Sequence, residues 1–121
     1  MFFIDKSSET FFKTKIGQVK NVDCYTKSLI YVLSNNNITK KYFNEIYDID
    51  RSSINLDVFT KSWQTNESLN MCRLAYNLYG DISSDNIEEG ASYLYSITSI
   101  FKSINIDVGI EAIKIRFFKI M

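Results

Sequence analysis

The chain has 121 residues, 14 basic and 14 acidic, so its formal net charge is zero and no overall field draws it to nucleic acid or a membrane surface. Apolar residues make up 45% and aromatics 15%, enough for the core of one domain spanning residues 1–121, while histidine is absent and there are only two cysteines. Those counts exclude Ser-His and Cys-His nucleophile pairs, histidine-metal sites and a four-ligand zinc site of ordinary composition.

The residue choice is skewed toward 17 Ile, 11 Lys and 11 Asn, with 3 Ala and no Pro. These residues have A/T-rich codons, so Ile and Asn carry less structural information here than usual. The opening MFFIDK is too short and lacks the basic flank of a signal peptide. No stretch reaches the ~18 apolar residues of a membrane span. A cytoplasmic location is the expectation, with Cys24 and Cys72 reduced and buried.

Helical spacing recurs along the chain. Ser8 to Val19 places Phe11, Phe12, Ile16 and Val19 in register behind a Ser7 or Ser8 cap, and Gly17 weakens the end. Asp23 caps a second helix carrying Tyr25, Leu29, Val32 and Leu33, and Asn35-Asn36-Asn37 stops it. Thr39 caps a third, with Tyr42, Phe43, Ile46 and Tyr47 inward. Asp48 to Asp57 is polar and turn-rich and reads as the long loop, followed by a short helix from Asp57 to Trp63.

Thr65 or Asn66 caps the next helix, and Gly80 sits where a left-handed C-cap glycine belongs. On this helix Asn66, Asn70, Arg73 and Asn77 form one narrow polar stripe and the rest is apolar; the three asparagines are expected to face outward, and Arg73 to form a structural ion pair with Asp48, Asp50 or Glu45 or else to contact a partner. Trp63 and Tyr76 read as core anchors. A single long helix is expected from Asp85 to Ile104, with two apolar rows: Ile87, Ala91, Leu94, Thr98, Phe101 and Tyr93, Ile97, Ile100, Ile104. The last segment alternates like a strand in AIKIRF, but Ile106, Ile110, Ile113 and Phe117 fit a helix with Asp107, Glu111 and Lys114 on its polar side. Helix is preferred because no second strand is evident. The sum is an all-α, compact bundle of six or seven helices.

The string WQT-x-x-S-x-x-x-x-RLA-x-NLY, formed by Trp63 to Thr65, Ser68 and Arg73 to Tyr79, follows SLIYVLS at Ser28 to Ser34 and IYDID-x-x-SI at Ile46 to Ile54. This pattern resembles an uncharacterised family of small proteins from Gram-positive bacteria and their mobile elements. Gly80 follows NLY directly, which shortens the turn found there in the family, and residues from Ser83 onward lie outside the match. The resemblance implies a compact phage- or plasmid-associated protein. It implies no activity, cofactor or catalytic residue.

No pattern in the chain calls for catalytic residues, a metal or a cofactor. Asp48 and Asp50 supply too few oxygens for calcium, and the four glycines form no phosphate loop. Charge is uneven: residues 1–41 carry a net +4, residues 42–90 a net −6 and residues 91–121 a net +2. The expectation is a non-enzymatic protein-binding module that meets another protein, such as a nucleic-acid-handling complex, through Arg73, Asn77, Asp48, Asp50, Glu88 and Glu89. By analogy with other small helical proteins of mobile elements, it would inhibit a host-defence nuclease complex of the CRISPR type. The alternative is a nucleic-acid-binding regulator that tracks phosphates through Lys13, Lys15, Lys40 and Lys41 of the basic N-terminal third. Zero net charge also admits a homodimer.

Overall fold

The computed structural model describes residues 1–80 and 92–118. Among these, seven α-helices occur in chain order: α1 (Lys6–Gly17), α2 (Cys24–Ser34), α3 (Asn37–Lys41), α4 (Phe43–Ile46), α5 (Asn66–Gly80), α6 (Ile97–Ile100) and α7 (Ile106–Phe117). The all-α reading holds. Between α4 and α5, the loop expected from Asp48 to Asp57 is tied by two short antiparallel strands, β1 (Tyr47–Asp48) and β2 (Ser53–Ile54). In their register Tyr47 faces Ile54 and Asp48 faces Ser53. A 3-10 turn follows at Leu56–Thr60, where a helix from Asp57 to Trp63 was expected.

Helix α2 is the centre of the fold. Every residue from Ser28 to Asn36 is buried, and α1, α5 and α7 pack around it. A helix apolar on nearly all sides belongs inside. The N-terminal residues join this core. Phe3 lies 5.5 Å from both the Phe12 and Tyr31 rings, and the Tyr31 hydroxyl donates to the Phe2 carbonyl. The Ile4 amide donates to Asn35 Oδ1 at 3.1 Å.

Helix ends follow the side chains that satisfy them. Asp5, not Ser7 or Ser8, caps α1: its carboxylate accepts the Ser8 amide at 2.8 Å, and that bond holds the Asp5 carboxyl below the usual range. Ser8 is instead buried. Asp23 caps α2 as expected, accepting the Thr26 amide at 2.7 Å. The asparagine triplet does two jobs. Asn35 closes α2, and Asn36 opens α3 by accepting the Ile38 and Thr39 amides at 2.9 and 3.0 Å. Thr39 is therefore not the cap; it is fully buried, with its hydroxyl donating to the Leu33 carbonyl at 2.6 Å. Thr65 opens α5 with a reciprocal pair, in which the Ser68 amide donates to Thr65 Oγ1 at 3.0 Å and the Thr65 amide to Ser68 Oγ at 2.7 Å. Gly80 is the last residue of α5, and the segment after it lies outside the described residues.

Two expectations need correction. The helix from Asp85 to Ile104 is not continuous over its described part, Ser92 to Ile104. A 3-10 turn at Ser92–Tyr95 gives way to α6, capped by Ser96, whose Oγ accepts the Ser99 amide at 3.1 Å. Serine hydroxyls compete for backbone groups and favour such breaks. Tyr93 and Ile97 are exposed as a result, and Thr98 is exposed too, while Ile100 and Ile104 are buried. Ile87 and Ala91 lie outside the described residues. Secondly, α7 is a helix as expected, but its buried face is Val108, Gly109, Ala112 and Ile115. The row Ile106, Ile110, Phe117 points outward.

Candidate functional site

Among the described residues the expected site is divided between the β1–β2 hairpin and α5. Asp48 and Asp50 sit on the β1–β2 hairpin. Asp48 accepts the Arg51 amide at 3.1 Å, and its carboxylate lies 3.9 Å from Arg51 Nε, an exposed turn contact of little energetic weight. Asp50 is exposed on an open cleft of about 870 Å³, between the α1–α2 connection and the hairpin. Tyr79 lines the same cleft and holds the hairpin tip, donating to the Ser52 carbonyl at 2.9 Å where Ser52 is left-handed at φ 51°. Burial, first of all, raises the Tyr79 hydroxyl out of reach of acid–base work near neutrality.

Arg73 and Asn70 lie on another face of α5, toward α6. Both are buried, so of the three asparagines expected to face outward only Asn66 does so, with Asn77 half-buried. Asn70 Nδ2 donates to Ser103 Oγ at 2.6 Å and the Ser99 carbonyl at 3.3 Å, and Asn70 Oδ1 accepts from Arg73 at 3.0 Å. The broken helix explains the burial, because its turn after α6 covers this stripe. Of the acids considered as partners for Arg73, Asp48 pairs with Arg51, and Glu45 lies 4.0 Å from Lys61. Asn70 is one of several groups Arg73 engages. Glu88 and Glu89 lie outside the described residues. Asn70→Ala should cost about 1–3 kcal/mol, the usual cost of leaving buried partners unsatisfied. Urea denaturation checks this, and an unchanged midpoint would return Asn70 to the surface.

Each of the four lysines has a local contact. Lys13 pairs with Glu9 at 3.0 Å, and Lys15 lies over the Phe11 and Phe43 rings. Lys40 donates to Ser7 Oγ at 3.0 Å, and Lys41 lies over the Tyr42 ring. The central tryptophan is half-buried, with its ring stacked on Tyr42 at 4.2 Å and 5°. Its indole N–H is buried and has no acceptor among the described residues.

The thiols differ. Burial pushes the Cys72 thiol up to about 12 from its ordinary 9.0, against the smaller lowering effects of Gln64 and Arg73. An unfolded chain ionises this thiol near pH 9, whereas the folded chain holds it neutral. The stability it contributes is thus complete below about pH 9 and is lost as the pH rises through 12. Iodoacetamide at pH 8 should label the half-buried Cys24 and spare Cys72. Equal labelling on mass spectrometry would contradict that.

A cluster not singled out from the sequence stands where the end of α7 meets the start of α2. The Arg116 guanidinium lies 3.9 Å from the Tyr25 ring centre and 4.6 Å from that of Phe117. Its Nε donates to the Leu78 carbonyl at 2.8 Å, which ties the stack to the end of α5. Tyr25 is therefore not a core residue of α2; it is 43% exposed, and Val22, Phe117 and Phe118, close in sequence to Tyr25 or Arg116, are exposed too. Tyr25 lines the cleft of about 870 Å³, whereas Val22 and Phe118 line a separate cavity of about 460 Å³ with Met1 and Lys27. The signal in the sequence was RFF at residues 116–118, an arginine among exposed aromatics at a helix end.

Among the described residues these features define an all-α domain of seven helices with a half-buried arginine stacked on partly exposed aromatics. The chain belongs to the Family of unknown function (DUF6075), which matches residues 1–121. No curated protein and no solved structure matches it. Among the described residues no group of three or more metal-ligating side chains occurs, and no helix is long and apolar enough to cross a membrane.

Proposed function

We propose that this chain is a non-enzymatic, cytoplasmic protein-binding module, and that Tyr25, Arg116 and Phe118 are its contact surface. The stacking of Arg116 against Tyr25, with Nε fixed on the Leu78 carbonyl, carries this reading. Tyrosine and arginine dominate binding hot spots, and a guanidinium held in place loses little freedom when a partner arrives. Exposed Val22 and Phe118 add apolar area around it.

Charge favours a partner with a basic, nucleic-acid-handling surface. Residues 42–90 carry a net −6, and Glu45, Asp50, Asp57 and Glu67 are exposed there. Inhibition of a host-defence nuclease complex is the activity to assay first. The test is affinity capture with wild type and with Tyr25→Ala/Arg116→Ala, each shown to be folded by circular dichroism. Wild type should retain a partner that the double variant loses. Equal capture by both would remove the surface from consideration.

A further inference from the structure

The outer face of α7 is apolar as well as the inner one. Ile106, Ile110 and Phe117 are 55%, 45% and 58% exposed, and Ile113 is half-buried among them. Their spacing of four, three and four residues sets them in a single row, the seam pattern of paired helices. The inner face is already used: Gly109 lies against the Phe101 ring, and α7 packs on α2.

We infer that this outer row pairs with the same row of a second copy, antiparallel and about a two-fold axis. The row is its own complement in that direction. Ile106 meets Phe117 of the partner subunit, and Ile110 meets Ile113 of the partner subunit, on one axis between residues 111 and 112. Asp107 and Lys114 are exposed seven residues apart on one flank of the row. Antiparallel pairing brings Asp107 beside Lys114 of the partner subunit, about 3 Å apart along the axis at a rise of 1.5 Å per residue. The two-fold axis makes that opposite-charge pair twice. Parallel pairing aligns each residue with itself and makes neither pair.

Zero net charge adds no repulsion between copies. A helix of 12 residues is about 18 Å long and covers less than the ~800 Å² per chain of a standard interface, so the pairing is reversible. The inference does not rest on the Tyr25–Arg116–Phe118 surface, which the row borders at Phe117, under the Arg116 guanidinium. Antiparallel pairing leaves those surfaces at opposite ends of the helix pair and gives the dimer two of them.

Sedimentation of the whole chain between about 5 µM and about 500 µM tests this, a range that spans weak association. The mass should rise from the 14.1 kDa of one chain toward twice that value. Ile110→Asp should hold the chain monomeric throughout without lowering its melting temperature, because that side chain is exposed. Asp107→Lys and Lys114→Asp should each weaken pairing several-fold, and the two together should restore it. A chain that stays monomeric at the highest concentration overturns the proposal, as does a dimer indifferent to Ile110→Asp. Failure of the combined charge exchange to restore pairing overturns the antiparallel register. A dimer lost with Arg116→Ala but kept with Ile110→Asp would place self-association on the other surface and overturn it.

Discussion

Tyr76→Ala should leave the chain largely unfolded at 37 °C. Tyr76 is fully buried, and its ring stands edge-on to Phe59 at 5.6 Å. Its hydroxyl donates to the Ile46 carbonyl at 2.6 Å and accepts the Asn55 amide at 3.2 Å. One side chain on α5 thereby fastens both ends of the β1–β2 segment to the core. Removing a buried aromatic ring costs about 3–5 kcal/mol, and the backbone groups it leaves unpaired add about 1–3 kcal/mol. That sum approaches the whole stability of a typical domain, about 5–15 kcal/mol. Tyr76→Phe separates the two contributions. It keeps the ring and should lose only about 1–3 kcal/mol. Urea titration followed by Trp63 fluorescence measures both variants. A Phe variant as unstable as the Ala variant would show that the hydroxyl, and not the ring, dominates.

The second large effect is expected at Gly109. A Cβ there would lie 2.0 Å from Phe101 Cε1 and 2.4 Å from Cζ, far inside contact distance. Glycine in a helix costs about 1 kcal/mol relative to alanine, so the choice runs against helix propensity and reflects the ring's close approach. Gly109→Ala must displace Phe101 from α7, an overpacking cost of about 1–3 kcal/mol that offsets the propensity gain. Gly109→Val adds more bulk and should destabilise further. The decisive comparison is a double-mutant cycle. With Phe101→Ala in place, Gly109→Ala should become neutral or stabilising. A coupling energy near zero would mean that the two residues do not meet in solution.

The sequence announced some of these features plainly and hid others for physical reasons. Asp23 was legible as a cap because it stands just before an apolar helical run, and Thr65 was one of two candidates because Asn66 beside it can cap as well. Asn36 was hidden inside a triplet whose members can stop one helix or start another. The helical period of α7 was legible, but its inner face was not. Val108, Ala112 and Ile115 are no more apolar than Ile106, Ile110 and Phe117, so spacing could not tell core from surface. The break near Ser96 is a competition between short side chains and backbone that apolar rows do not report.

Burial of Asn70 follows from that break and was equally invisible, whereas a structural Arg73 was legible as a lone arginine on a mostly apolar helix. The Tyr25–Arg116 stack joins residues 91 positions apart, and only the packing of α7 on α2 brings them together.

The central claim is that a partner protein seats on the surface around Arg116. A photo-crosslinking amino acid placed at Phe118, on that surface, and at Thr14, on the exposed side of α1, tests it most directly. The partner should cross-link from position 118 and not from position 14. Cross-linking from position 14 with none from position 118 would contradict the account.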